Sequence, residues 1–217
     1  MKKCLVFMIG LFLLVGITTN VHAGLLNLLN PGDSQNVSNE AVPAGILLDS
    51  QDVLFSNDYF SGISYQEVYK NDTGMLFVYS FENSINSLNS ITRMTATDFA
   101  GWNTWADASL VADTTYSIDR SFSVNGTSGD SIGFGFKNGD PQQSNFDPGV
   151  QPGNLSSIMW IQTNAPAYTI GGLSFIDGRT SDILAYGPAA CPVPEPMSLS
   201  LLGFGLFGLI GLRKKKN

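Results

Sequence analysis

Apolar and polar residues alternate along much of the chain. Over residues 116–124, Tyr116, Ile118, Phe122 and Val124 are separated by Ser117, Asp119, Ser121 and Ser123. A period of two predicts a strand with one buried face. Arg120 falls on that apolar face, which calls for a carboxylate partner or a position near an edge. Asn125-Gly126 opens the next turn, and Ile132, Phe134 and Phe136 then alternate with Gly133 and Gly135. The pair reads as a hairpin with a loop of about six residues, closed by Asn138-Gly139-Asp140-Pro141. Shorter strands are predicted at 46–49, 53–55, 75–81, 91–97, 158–163, 168–175 and 183–186. Residues 24–44 read as a short apolar start and a polar link, and 142–154 as a long loop. No segment of 24–192 carries a 3.6-residue apolar stripe of helical length. Many short strands with Gly, Asn and Asp turns predict an all-β domain, an antiparallel β-sandwich or jelly roll.

Both ends of the chain break this pattern. Lys2 and Lys3 precede an apolar run over 5–17, and Val21-His22-Ala23 supplies small or apolar residues before a cut. These are the parts of a signal peptide, removed by signal peptidase between Ala23 and Gly24. The run is short for a bilayer span, although an uncleaved anchor is the alternative. Residues 197–212 carry no charge and are followed by Arg213, Lys214, Lys215 and Lys216. As a helix this run spans about 24 Å, somewhat short of the ~30 Å hydrocarbon core. Four cations would hold that end in the cytoplasm, and the leader sends the preceding domain across the membrane. Gly205, Gly208 and Gly211 would form a smooth ridge for close helix approach. The expected organisation is a signal peptide (1–23), one β-domain (24–192) and a C-terminal transmembrane segment (193–217).

Immediately before the apolar run stands Val193-Pro194-Glu195-Pro196. Two prolines keep that junction extended and accessible. Pro-Glu-Pro, a short Gly/Leu-rich apolar helix and a basic cluster together resemble the PEP-CTERM sorting signal, over about 192–216. Met197 departs from it, standing where Ser or Thr is commoner. The resemblance implies a Gram-negative bacterium that makes exopolysaccharide. It also implies recognition by an exosortase, a membrane cysteine peptidase cutting near Pro-Glu-Pro. The protein would then pass from an inner-membrane intermediate to the cell surface or the extracellular space. A plain single-span anchor is the alternative. A second likeness covers Asp147-Pro148-Gly149, residues 158–165, 172–178 and Tyr186-Gly187-Pro188. These look like the last strands of many PEP-CTERM β-domains, which supports an all-β fold and carries no catalytic residue.

Charge sharpens the picture. Residues 24–192 hold 17 acidic and five basic side chains, a net charge of −12, whereas the whole chain carries −7. Such a domain should avoid nucleic acid and anionic lipid, and could attract divalent cations or basic partners. The sole histidine, His22, lies in the leader. The mature chain therefore cannot build a Ser-His-Asp triad, a Cys-His dyad or the usual zinc sites. No P-loop or EF-hand loop occurs. Gly203-Phe-Gly205-Leu-Phe-Gly208 fits a dinucleotide-loop spacing but follows no strand.

A non-enzymatic surface or matrix protein associated with exopolysaccharide or biofilm is therefore expected, with no cofactor. A carbohydrate-binding module is the alternative. Trp102 and Trp105, flanking a turn-like Asn103-Thr104, would offer flat faces for a sugar ring, joined by Tyr59, Phe60 and Tyr65. Trp160, inside an apolar strand, reads as core. A glycosidase using Glu67 and Glu82 is a further alternative. Asn138, Asp140, Asn145 and Asp147 could supply oxygen ligands to calcium, or simply cap turns. Cys191, the only cysteine after the leader, has no intrachain disulfide partner.

Overall fold

The computed structural model describes residues 28–109, 115–121, 130–136 and 149–189. They form two antiparallel sheets packed face to face, a β-sandwich. One sheet runs β1 (Ser34–Asn36), β7 (Thr115–Arg120), β8 (Ile132–Phe136), β5 (Arg93–Ala96), β10 (Tyr168–Ile176) and β11 (Thr180–Pro188), in that order across its width. The other runs β2 (Ile46–Ser56), β3 (Ser61–Lys70), β4 (Met75–Asn83), β9 (Ile158–Thr163) and β6 (Thr104–Ser109).

The alternation in sequence becomes the two faces of each sheet. On β4, Met75, Phe77, Tyr79 and Phe81 enter the main core between the sheets, while Leu76 and Val78 point outward. From the opposing sheet come Phe134, Phe136, Leu173 and Phe175. Phe55 stacks on Phe175 with ring centroids 4.0 Å apart. Phe81 meets Phe136 and Phe175 edge-on at 5.4 and 5.0 Å. Such pairs add roughly 0.5–1.5 kcal/mol each beyond the area they bury.

Polar groups inside the sandwich tie the sheets together. The Tyr79 hydroxyl donates to the Tyr186 carbonyl at 2.5 Å, and burial holds this phenol far above its ordinary pKa. Gln66 is buried, and its amide behaves as a substitute strand. Its Nε2 donates to the Leu184 carbonyl at 3.3 Å, and its Oε1 accepts from the Tyr186 N–H at 3.2 Å. Two backbone groups on the free edge of β11 are satisfied in this way.

The predicted hairpin is present: β7 pairs antiparallel with β8, Ile118 opposite Phe134. Described strand structure stops at Arg120, and residues 122–129 lie outside the described part. Arg120 is buried at the end of its strand. The partners seen around its guanidinium are neutral oxygens: the carbonyls of Leu29, Phe99 and Trp102 and the Thr104 hydroxyl, at 2.7–3.0 Å. Burial lowers its pKa. On the outer face of the same sheet, Arg93 crosses β8 to reach Asp119 through two 2.6 Å contacts. Gly133 makes this crossing possible, because a Cβ there would overlap the guanidinium.

Three strands escaped the sequence pattern, β1, β3 and β6, and the predicted pieces 46–49 and 53–55 are one strand with a bulge at Leu48. The polar link after β1 is a strap across the outer face of the five-stranded sheet. Asp107, buried on β6, accepts from the backbone N–H groups of Ser38 and Glu40 at 2.9 and 3.0 Å. Beneath the strap, Val42 packs with Leu76, Val78, Trp105 and Trp160. Trp160 is buried as expected, but under the strap rather than between the sheets.

The ends of the strands define two poles. At one, hereafter the near pole, Ile46, Lys70 and Met75 pair in a row. Thr163 bonds the Met75 carbonyl and pairs with Thr104, whose carbonyl accepts from the Leu29 N–H. At the far pole lie the β2–β3 turn, residues 83–92 and the β10–β11 turn.

Candidate functional site

The outer face of β2, β3 and β4 beyond the strap is open to solvent. Register alone builds its pattern. Leu54 pairs with Ile63 and Ile63 with Glu82; Asp52 pairs with Tyr65 and Tyr65 with Ser80; Glu67 pairs with Val78 and Tyr69 with Leu76. At the far pole this face sinks into a groove of about 430 Å³, walled by Leu54, Ile63, Ile85 and Glu82. Ser56, Ser61 and Ser84 supply hydroxyls around it, and Phe55 and Gly62 reach it from below. Gly62 is needed there, since a Cβ would meet the Glu82 carbonyl and the Phe55 ring.

Tyrosines and acids alternate along the face. The Tyr65 hydroxyl reaches Glu82 at 3.5 Å, and Tyr69 donates to Glu67 at 2.7 Å. Partial burial, then Glu82 and Asp52, raise the Tyr65 pKa. The bond to Glu67, then burial, push Tyr69 up to about 12. Both phenols are neutral donors over the physiological range, so the face presents flat rings, hydroxyl donors and carboxylate acceptors beside an aliphatic groove. Tyr59, exposed at the same pole, carries the Arg179 guanidinium 5.7 Å above its ring.

The expected tryptophan platform is corrected. Trp102 is only 8 % exposed and belongs to the main core, because its carbonyl is drawn in by Arg120. Trp105 is half-buried on β6 and packs beneath the strap cluster. The two indoles therefore serve different packing faces. Phe60 is also buried, leaving Tyr59 and Tyr65 as the accessible members of the predicted aromatic set. Glu67 and Glu82 share a face but are four residues apart along it, about 14 Å at ~3.4 Å per residue. Paired glycosidase carboxyls stand roughly 5–9.5 Å apart. The structure does not bring these two together as such a pair.

The remaining predicted sites lie outside the described residues: Ala23 and Gly24, Asn138, Asp140, Asn145 and Asp147, Cys191, the sorting segment Val193, Pro194, Glu195 and Pro196, and Arg213, Lys214, Lys215 and Lys216. The groove itself was missed. Its aliphatic walls come from two exposed positions, Leu54 and Ile85, that sequence alone would assign to a core. The alternation of Ile63, Tyr65, Glu67 and Tyr69 was the one signal available for its flank.

An all-β domain followed in sequence by Pro-Glu-Pro, an uncharged run and a basic cluster defines an exported protein with a C-terminal, membrane-anchored sorting step. Residues 192–216 match the PEP-CTERM protein-sorting motif, which implies export through the secretion machinery and processing by an exosortase. No curated protein and no solved structure matches the chain.

Proposed function

We propose that the mature protein is a non-enzymatic component of the cell surface or extracellular matrix. We infer that it holds exopolysaccharide against the outer face of β2, β3 and β4. The observation that carries this reading is the open groove at the far pole, flanked by Tyr65 and Glu82. Sugar rings present apolar faces and hydroxyl edges. A surface that sets tyrosine rings and aliphatic side chains beside carboxylate and serine oxygens is complementary to both. A histidine-free mature chain, whose two candidate glutamates stand too far apart to act as a pair, favours binding over hydrolysis. The sorting motif supports delivery to the compartment where such a polymer accumulates.

The test is retention of the purified mature protein on exopolysaccharide from the producing cells. The native protein should be retained. Tyr65→Ala combined with Glu82→Gln should weaken retention about tenfold, the equivalent of ~1.4 kcal/mol. Both positions are solvent-facing, so the fold should be unaffected. Unchanged retention of that variant would contradict the proposal.

A further inference from the structure

The described chain begins and ends at one pole of the sandwich. Leu29 bonds the Thr104 carbonyl and the Ala189 N–H bonds the Ala167 carbonyl, both at the near pole. Around the C-terminal exit stand aliphatic side chains that stay exposed among the described residues. Ile46 is 73 % exposed, and Leu47, Leu48 and Ile170 are between 44 and 50 % exposed. Ile46, Leu47 and Leu48, three consecutive residues of β2, sit at the start of an edge strand, beside the bulge at Leu48. Ile170 joins them from β10, two residues after Tyr168, which pairs with Pro188 and reaches Asp49 on β2 through its hydroxyl.

Seven residues, 190–196, separate Ala189 from the uncharged run 197–212. Fully extended they reach at most about 24 Å. While the run is in the bilayer, the near pole is thus tethered within that distance of the membrane surface, and its aliphatic rim is the part of the domain closest to the chain's exit. We propose that this rim, Ile46, Leu47, Leu48 and Ile170, rests in the headgroup region of the bilayer during the sorting step, holding Pro-Glu-Pro at the membrane surface and the groove outward. The inference rests on reading 197–212 as membrane-inserted. Exposed acids share this pole, Asp49, Asp72 and Asp98 among them, so the contact is with neutral headgroups and is apolar rather than electrostatic.

The test uses residues 24–217, with Cys191→Ser, reconstituted in phosphatidylcholine vesicles. An environment-sensitive fluorophore is attached at Leu47→Cys or Ile170→Cys, or at Leu54→Cys or Ile85→Cys as far-pole controls. All four positions are exposed or nearly so, which keeps the fold out of the comparison. In vesicles, probes at 47 and 170 should emit further to the blue and be quenched several-fold less by aqueous acrylamide than the control probes at 54 and 85. Equal quenching at all four positions, in protein that resists alkaline extraction, would overturn the docking while leaving the inserted tail intact. Protein lost on alkaline extraction would overturn the inserted tail, and the docking with it.

Discussion

Arg120 occupies the apolar face of β7 because carbonyl oxygens converge on it. A guanidinium offers five donors in a planar fork, and the end of the strand supplies three carbonyls and a hydroxyl within 3.0 Å. It thereby joins the N-terminal segment, the 99–104 turn and the β7–β8 sheet. Arg120→Met should leave several buried acceptors unpaired and cost about 3 kcal/mol or more, read from urea unfolding. Arg120→Lys should recover only part, since an ammonium cannot span the same acceptors. A change below ~0.5 kcal/mol would contradict this role. The tyrosines make a second prediction. Tyr69 is pushed up to about 12 by its bond to Glu67 and by burial, Tyr186 to about 12 by burial and Asp49, and burial holds Tyr79 higher still. In the unfolded chain these phenols ionise near pH 10. The folded state then keeps protons that the unfolded state releases. Stability should therefore hold below about pH 10 and fall as pH climbs toward ~12. A spectrophotometric titration in which all seven tyrosines ionise together near pH 10 would contradict it.

At the level of elements, legibility followed the simplicity of the inward face. β4, β8, β9 and β10 put large apolar residues inside, and their short apolar or alternating segments were enough to find them. β3 turns Ser64, Gln66 and Val68 inward, and β6 turns in Thr104, Ala106 and Ala108. Their inner residues are polar or small, and the reason is tertiary: Gln66 caps the edge of β11, and Thr104 serves Arg120. No local pattern encodes either partner. The same holds for the platform at Trp102, where a turn-like sequence suggested exposure and the convergence on Arg120 produced burial. The strap over Trp160 is the least legible element, since residues 37–44 show neither a period of two nor a helical stripe and are held by backbone bonds to Asp107. Asp107→Ala should release it, at a cost of about 2 kcal/mol. Trp160 emission should shift to the red and become accessible to a quencher, with little change in the strand content seen by circular dichroism. An unmoved emission spectrum would show that the strap stands without its clamp.

For the whole molecule, the chain divides into cargo and routing. The domain bears the acidic charge, −12 over 24–192, and six of the eleven basic residues flank the two apolar end segments. The described chain begins and ends at the near pole, and the groove lies at the far pole, an arrangement that would turn it outward if the near pole docks as proposed. Routing was readable because it is written locally, in runs of apolar residues, cations and a Pro-Glu-Pro junction. The groove was not, because it exists only where β2, β3 and β4 set distant residues side by side.

We propose that the sandwich is the exported product and that both end segments are removed on the way. Intact-mass measurement of the native protein recovered from outside the producing cells tests it most directly. The expected result is a single chain that begins at Gly24 and ends near Pro194–Pro196, lacking residues 197–217. A recovered mass that retains the C-terminal apolar run and its basic cluster would contradict it.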